Sequence, residues 1–172
     1  MRAIGKGSLA SILAAGLHVT RIILWIAFIG LAIAMIMVPF AVGIMSAVDG
    51  ATNLSIDGNV AVDAEDYINI GHNFVTFAVM LFVVDRLLEI LKTLRFGSPF
   101  VRENADRFRG VGYALLIGEG AKFAFGFLSL VTDTDVDINS QFITWLAIIS
   151  VFVLAEVFSE GARMKEEQDL TV

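Results

Sequence analysis

Glu119 and Lys122 are the residues of this chain whose types and spacing could do chemistry. They stand three positions apart inside an apolar segment, a spacing that puts two side chains on the same face of a helix. Three interpretations of this pair stay open. The two charges neutralise each other inside the protein, they form a site for a proton or an ion, or Glu119 lies at a hydrated edge of the apolar layer.

His72 and the acidic segment 133–139 are the other candidates, and both favour a structural interpretation. No cysteine is present, and the only other histidine, His18, is predicted on the opposite side of the membrane. We therefore expect His72 to be a hydrogen-bonded packing residue rather than a metal ligand. The segment DTDVDIN places Ile138 and Thr144 where a calcium-binding EF-hand loop needs Gly and Glu.

Motifs of known enzymes are missing from the sequence. It contains neither a Ser–His–Asp arrangement, nor a glycine-rich phosphate loop, nor a metal-hydrolase motif. We predict that the protein is not an enzyme and that it binds no metal and no cofactor.

The elements that must position these residues are membrane spans. Residues 22–48 contain no Asp, Glu, Lys or Arg, and a helix of this length exceeds the roughly 30 Å hydrocarbon core of a bilayer. Further apolar segments follow at about 67–84, 110–131 and 142–158. They predict an all-α fold, an integral membrane four-helix bundle with helical extensions, in one domain over residues 1–172.

The charges predict the orientation of this bundle. The segments 49–66 and 132–141 contain only acidic charges, whereas the basic residues, Lys122 excepted, lie in the remaining segments. Loops that carry Lys and Arg stay on the cytoplasmic side of a membrane. Both termini and the loop between the second and third spans are therefore predicted to be cytoplasmic, in a multi-pass protein.

Three local features complete the prediction. Ser8 can cap a short interfacial helix before His18, and a flexible tail is the alternative for the same stretch. Asn104 can cap the third helix. Gly43 and Ala47 in the first span have the spacing of close helix packing, which makes a homo-oligomer plausible.

Two motifs resemble a known family. They are FGSPFVRENADRFRGVG at 96–112 and VFVLAEVFSEGARMKEEQDLTV at 151–172. Together they are similar to the bacterial four-span membrane proteins catalogued as domain of unknown function 2975. The matching positions are Gly97, Pro99, Phe100, Asn104, Arg107, Gly112, Gly161, Glu166, Glu167, Asp169, Leu170 and Thr171.

The resemblance implies a regulatory protein of the bacterial inner membrane. Members of the family often accompany a small helix-turn-helix regulator, so we expect a cytoplasmic partner of this kind and no direct contact with nucleic acid. It supplies no catalytic residue. The expected partner-binding residues are Phe100, Asn104, Arg107, Glu166, Glu167 and Asp169.

Other interpretations of the same residues stay open. The cytoplasmic charges could pair with each other and with the headgroups of the lipid bilayer instead of a protein partner. The chain could also be a small channel or transporter subunit that uses Glu119 and Lys122, or a structural subunit of a larger membrane complex.

Overall fold

The fold consists of four α-helices, in a computed structural model that describes residues 9–52, 64–95, 99–134 and 139–170. The predicted all-α, four-helix fold is confirmed. The helices are α1 (Leu9–Thr52), α2 (Ala64–Arg95), α3 (Arg102–Val131) and α4 (Phe142–Asp169).

Three of these helices are long and apolar enough to cross a membrane, which indicates a membrane protein. The candidate spans are Ala10–Ala41, Arg102–Val131 and Phe142–Asp169. That α2 also crosses the bilayer stays a prediction, which rests on the charge-free residues 67–84.

The structure bears on two predictions about helix starts. The described residues before His18 are helical as expected, but they form the first part of the continuous α1, Leu9–Thr52, rather than a short helix. The proposed cap, Ser8, lies outside the described residues. Asn104 does not cap α3, because that helix begins at Arg102 after the extended residue Val101. The Asn104 side chain bonds to α2 instead, as described below.

The helices form an antiparallel row in which, among the described residues, only consecutive helices pack together. Leu24 of α1 packs with Leu81 and Val84 of α2. The end of the row where α2 ends and α3 begins is called the basic end here, since Arg86, Lys92, Arg102, Arg107 and Arg109 lie there. The opposite end, where α3 ends and α4 begins, is called the acidic end.

Large apolar side chains cover the outside of the row. Phe127, Leu130 and Phe142 are among the most exposed, and Leu130 has 81% of its surface uncovered by the chain. In water such a surface would promote aggregation. Lipid tails are as apolar as these side chains and can cover them in a membrane.

Gly112 of α3 leaves room for the Phe152 ring of α4. A Cβ atom built on Gly112 would lie 2.8 Å from the Phe152 ring, which is closer than carbon atoms pack. Gly120 of the same helix has no atom of another element within 4 Å of such a Cβ. The two glycines therefore form a matched pair for testing the interface.

We predict that Gly112→Ala lowers the free energy of unfolding by about 1–3 kcal/mol, because the Phe152 ring must leave its position. Gly120→Ala should leave stability unchanged or raise it by up to about 1 kcal/mol, since alanine favours a helix more than glycine does. Unfolding by sodium dodecyl sulfate in mixed micelles measures both values. Equal stabilities of the two variants would contradict the close approach of α3 and α4 at Gly112.

Candidate functional site

The turn between α2 and α3 is held by the buried side chain of Asn104, which has 0% of its surface exposed. Its Nδ2 donates to Thr93 Oγ1 at 2.7 Å and to the Pro99 carbonyl at 2.9 Å. Its Oδ1 accepts a hydrogen bond from Arg107 Nη1 at 2.7 Å. One amide thus joins the last part of α2, the turn and the first part of α3.

Arg107 extends this network to the carboxylate of Glu89. Glu89 Oε2 accepts from Arg86 Nη1 at 2.9 Å and from Arg107 Nε at 3.2 Å. The hydrogen bond from Arg86 is the main cause of a lowered pKa for Glu89, and the positive charges of Arg86 and Arg107 lower it further while partial burial opposes the shift. This carboxylate is therefore an anionic link between α2 and α3.

Phe100 packs within the protein and remains 44% exposed. Its ring lies 5.5 Å from that of Phe158, and a Cβ atom on Gly161 would clash with it. Only the outer side of the ring is available to a partner. The direct role of Phe100 in this structure is to hold α4 against the turn.

α4 continues past this contact as an exposed acidic helix. Arg109 Nη2 of α3 lies 3.3 Å from Glu156 Oε2, an ion pair that joins the two helices. Beyond it, Arg163 contacts Glu160 and Glu167 of its own helix at 2.7 and 3.5 Å. All residues from 163 to 170 are exposed, so Glu166, Glu167 and Asp169 face the surroundings.

The second polar cluster lies inside the candidate span of α3. Glu119 is 3% exposed, and its Oε1 lies 2.7 Å from Lys122 Nζ. Its other oxygen, Oε2, accepts from Ser140 Oγ at 2.7 Å, and Ser140 Oγ accepts from Trp145 Nε1 at 3.1 Å. Both carboxylate oxygens are therefore occupied by groups of the chain itself.

His72 packs against the same part of α3. Its ring stands edge-on to Phe125 with 5.9 Å between the centroids, and its Nε2 atom is buried without a hydrogen-bond partner. Among residues 9–52, 64–95, 99–134 and 139–170, no three His, Cys, Asp or Glu side chains gather into a metal site.

The structure brings together only some of the residues that the sequence singled out. Asn104 and Arg107 are in contact, as are Glu119 and Lys122, whereas Glu166, Glu167 and Asp169 are exposed on α4. The sequence did not predict the roles of Thr93, Ser140 and Trp145, because nothing in their local sequence indicates which distant side chain they contact.

The fold and this polar pattern define a class, the all-α proteins with helices of membrane-spanning character. Within it, the profile of the family catalogued as DUF2975, proteins of unknown function, matches residues 59–172. The chain belongs to this family, which confirms the resemblance of its two motifs. No curated protein and no solved structure matches the chain.

We predict that removing Lys122 destabilises the protein more than neutralising Glu119. Lys122→Met leaves a carboxylate that is almost fully buried, at a cost of about 3–5 kcal/mol. Glu119→Gln keeps an amide oxygen that can still accept from Lys122 Nζ, and we expect a cost of about 1–3 kcal/mol. Unfolding in mixed micelles tests this order, and the double variant should be more stable than Lys122→Met alone.

A second prediction concerns pH. The pKa of Glu89 is lower in the folded protein than its ordinary value of 4.5. Ionised Glu89 therefore stabilises the fold fully above pH 4.5. This stabilisation is lost as the pH falls through the pKa of the folded state. The effect should be small because Glu89 is half-exposed. Glu89→Gln should therefore flatten the fall in thermal unfolding midpoint below about pH 4.5, whereas Glu103→Gln, which removes an exposed carboxylate of α3, is the control.

Proposed function

We propose that this protein is a non-enzymatic regulatory protein of the bacterial inner membrane that binds a soluble cytoplasmic partner through the end of α4. The partner we expect is a small helix-turn-helix regulator. The observation that supports this proposal most is that α4 ends as an exposed acidic helix, residues 163–170, which carries Glu166, Glu167 and Asp169.

The charge of this helix end suits a DNA-binding partner. Residues 156–170 contain five acidic and two basic residues, and Arg163 already pairs with acids of its own helix. A DNA-binding domain presents a basic surface to phosphates. An acidic helix complementary to that surface would compete with DNA and hold the regulator at the membrane.

The structure suggests different roles for the six residues proposed to bind a partner. Asn104 is wholly buried and Arg107 is engaged with Asn104 and Glu89. These two residues therefore suit the positioning of α4 through the turn. Direct contact is proposed for Glu166, Glu167 and Asp169, with the exposed side of Phe100 at the edge of the same surface.

A channel or transporter role centred on Glu119 has weaker support. Both oxygens of Glu119 are occupied, by Lys122 and by Ser140. A carboxylate that carries ions or protons would first have to release one of these bonds.

We predict that a photo-reactive amino acid at position 166 crosslinks a soluble helix-turn-helix protein in native membranes. The same amino acid at Phe127, an apolar position of α3 that is exposed on the outside of the row, is the control and should crosslink no soluble protein. Mass spectrometry of the adducts identifies the partner. Adducts only with membrane proteins would favour a structural subunit, and the absence of any soluble adduct at position 166 would overturn the proposal.

Charge reversal tests the regulatory consequence. Glu166→Lys should weaken partner binding by about tenfold, through the loss of one attraction and the gain of one repulsion, and should change the transcripts that the partner controls. Glu103→Lys makes the same charge change at an exposed position of α3, and we expect no effect on the transcripts.

A further inference from the structure

A groove between α1 and α2 lies at the basic end, where Glu89 joins it to the network of Asn104 and Arg107. Its volume is about 490 Å³, and both helices contribute polar and apolar side chains to its walls. Its lining residues are Ala14, His18, Arg21, Asp85, Leu88, Glu89 and Lys92. The residues proposed to contact the partner do not line this groove.

The two acids of the groove are neutralised by neighbouring arginines. Arg21 Nε lies 2.9 Å from Asp85 Oδ1, close enough to cancel the two charges although the atoms are not aligned as a hydrogen bond. Glu89 is shared by Arg86 and Arg107. Arg21 thus balances Asp85, and Arg86 and Arg107, which lie outside the groove, together exceed the charge of Glu89 by one. The acids of the groove therefore do not neutralise Lys92.

Lys92 is the cation of the groove that makes no ion pair within the described part of the chain. Its side chain is exposed. His18 adds a further polar wall, with its Nδ1 2.8 Å from the Ala14 carbonyl. An anion that entered the groove would thus find Lys92 available without breaking an existing pair.

The depth of the groove matches the headgroup layer of a bilayer. Arg21 directly precedes the charge-free residues 22–48, and Asp85 directly follows the charge-free residues 67–84. The pair therefore marks the level at which the apolar layer ends. Trp25, one helical turn from Arg21 on the apolar side, is 44% exposed, as is typical of aromatic residues at a membrane interface.

We propose that this groove binds the phosphate of an anionic phospholipid in the leaflet at the basic end. Lys92 and Arg21 contact the phosphate, and the acyl chains run along the apolar faces of α1 and α2 beyond Trp25. Basic pockets between membrane helices on the cytoplasmic side bind such headgroups.

Quenching of Trp25 fluorescence by brominated lipids tests this proposal in the full chain. The chain has two tryptophans, so Trp145→Phe leaves Trp25 as the single reporter. The protein is reconstituted with phosphatidylglycerol or with phosphatidylcholine, and each lipid is brominated near the headgroup end of its acyl chains. The quenching by each lipid gives the relative affinity of the two lipids at this position. We expect stronger quenching by phosphatidylglycerol at equal mole fraction.

Variants at position 92 decide whether the groove causes this preference. Lys92→Gln should reduce the preference for phosphatidylglycerol by about fivefold, the effect of one basic residue near a lipid surface, and Lys92→Arg should retain it. Lys165→Gln removes one positive charge from α4, away from the groove, and should have no effect.

Two results would overturn the proposal. The first is an equal affinity for the two lipids, or a preference that Lys92→Gln leaves unchanged. The second is complete loss of the preference in millimolar inorganic phosphate, which would assign the groove to a free anion rather than to a lipid.

Discussion

The arrangement of the four helices depends on one side chain at the centre of the row, the amide of Asn104. Since only consecutive helices pack together among the described residues, the interface of α2 with α3 joins the two halves of the protein. Asn104 is completely buried there and bonds to Thr93 of α2, to the Pro99 carbonyl of the turn and to Arg107 of α3. A buried amide is stable only when its partners are in place, so this residue fixes the position of α3 relative to α2.

The same requirement explains the second cluster. Lipid offers no hydrogen bonds, so a carboxylate within an apolar span must obtain all its partners from the chain. Glu119 obtains one from Lys122 on its own helix and the other from Ser140, which shortly precedes α4. Because Glu119 lies near the middle of α3, the bond to Ser140 places the start of α4 level with that part of α3 rather than with its end at Val131. A polar contact therefore sets how far the two helices overlap.

Sequence was sufficient for those features that depend on composition and on spacing along one helix. The apolar segments predicted the four helices, and the spacing of Glu119 and Lys122 predicted that they share a helix face. The sequence was insufficient wherever a contact joins distant parts of the chain. Ser140 and Trp145 carry no local signal of their bond network, and Asn104 was wrongly assigned to a cap because its real partner, Thr93, lies on another helix. Phe100 has the character of an exposed anchor until its contact with Gly161 is known.

α4 is held to the rest of the protein near its start and again toward the basic end, and this arrangement bears on regulation. At the acidic end its start is tied to Glu119 through Ser140, and toward the basic end it is held to α3 by Arg109 and to the turn by Phe100. A rigid helix transmits a displacement at one end to the other, provided that its contacts have two arrangements. Under the proposed function, a change at Glu119 that released Ser140 would alter the packing of α4 on α3 and hence the position of Glu166 and Asp169. The acidic end of α4 and the buried carboxylate of Glu119 would then be coupled through α4. The contact between Phe100 and Gly161 is where a movement of α4 would reach the partner surface.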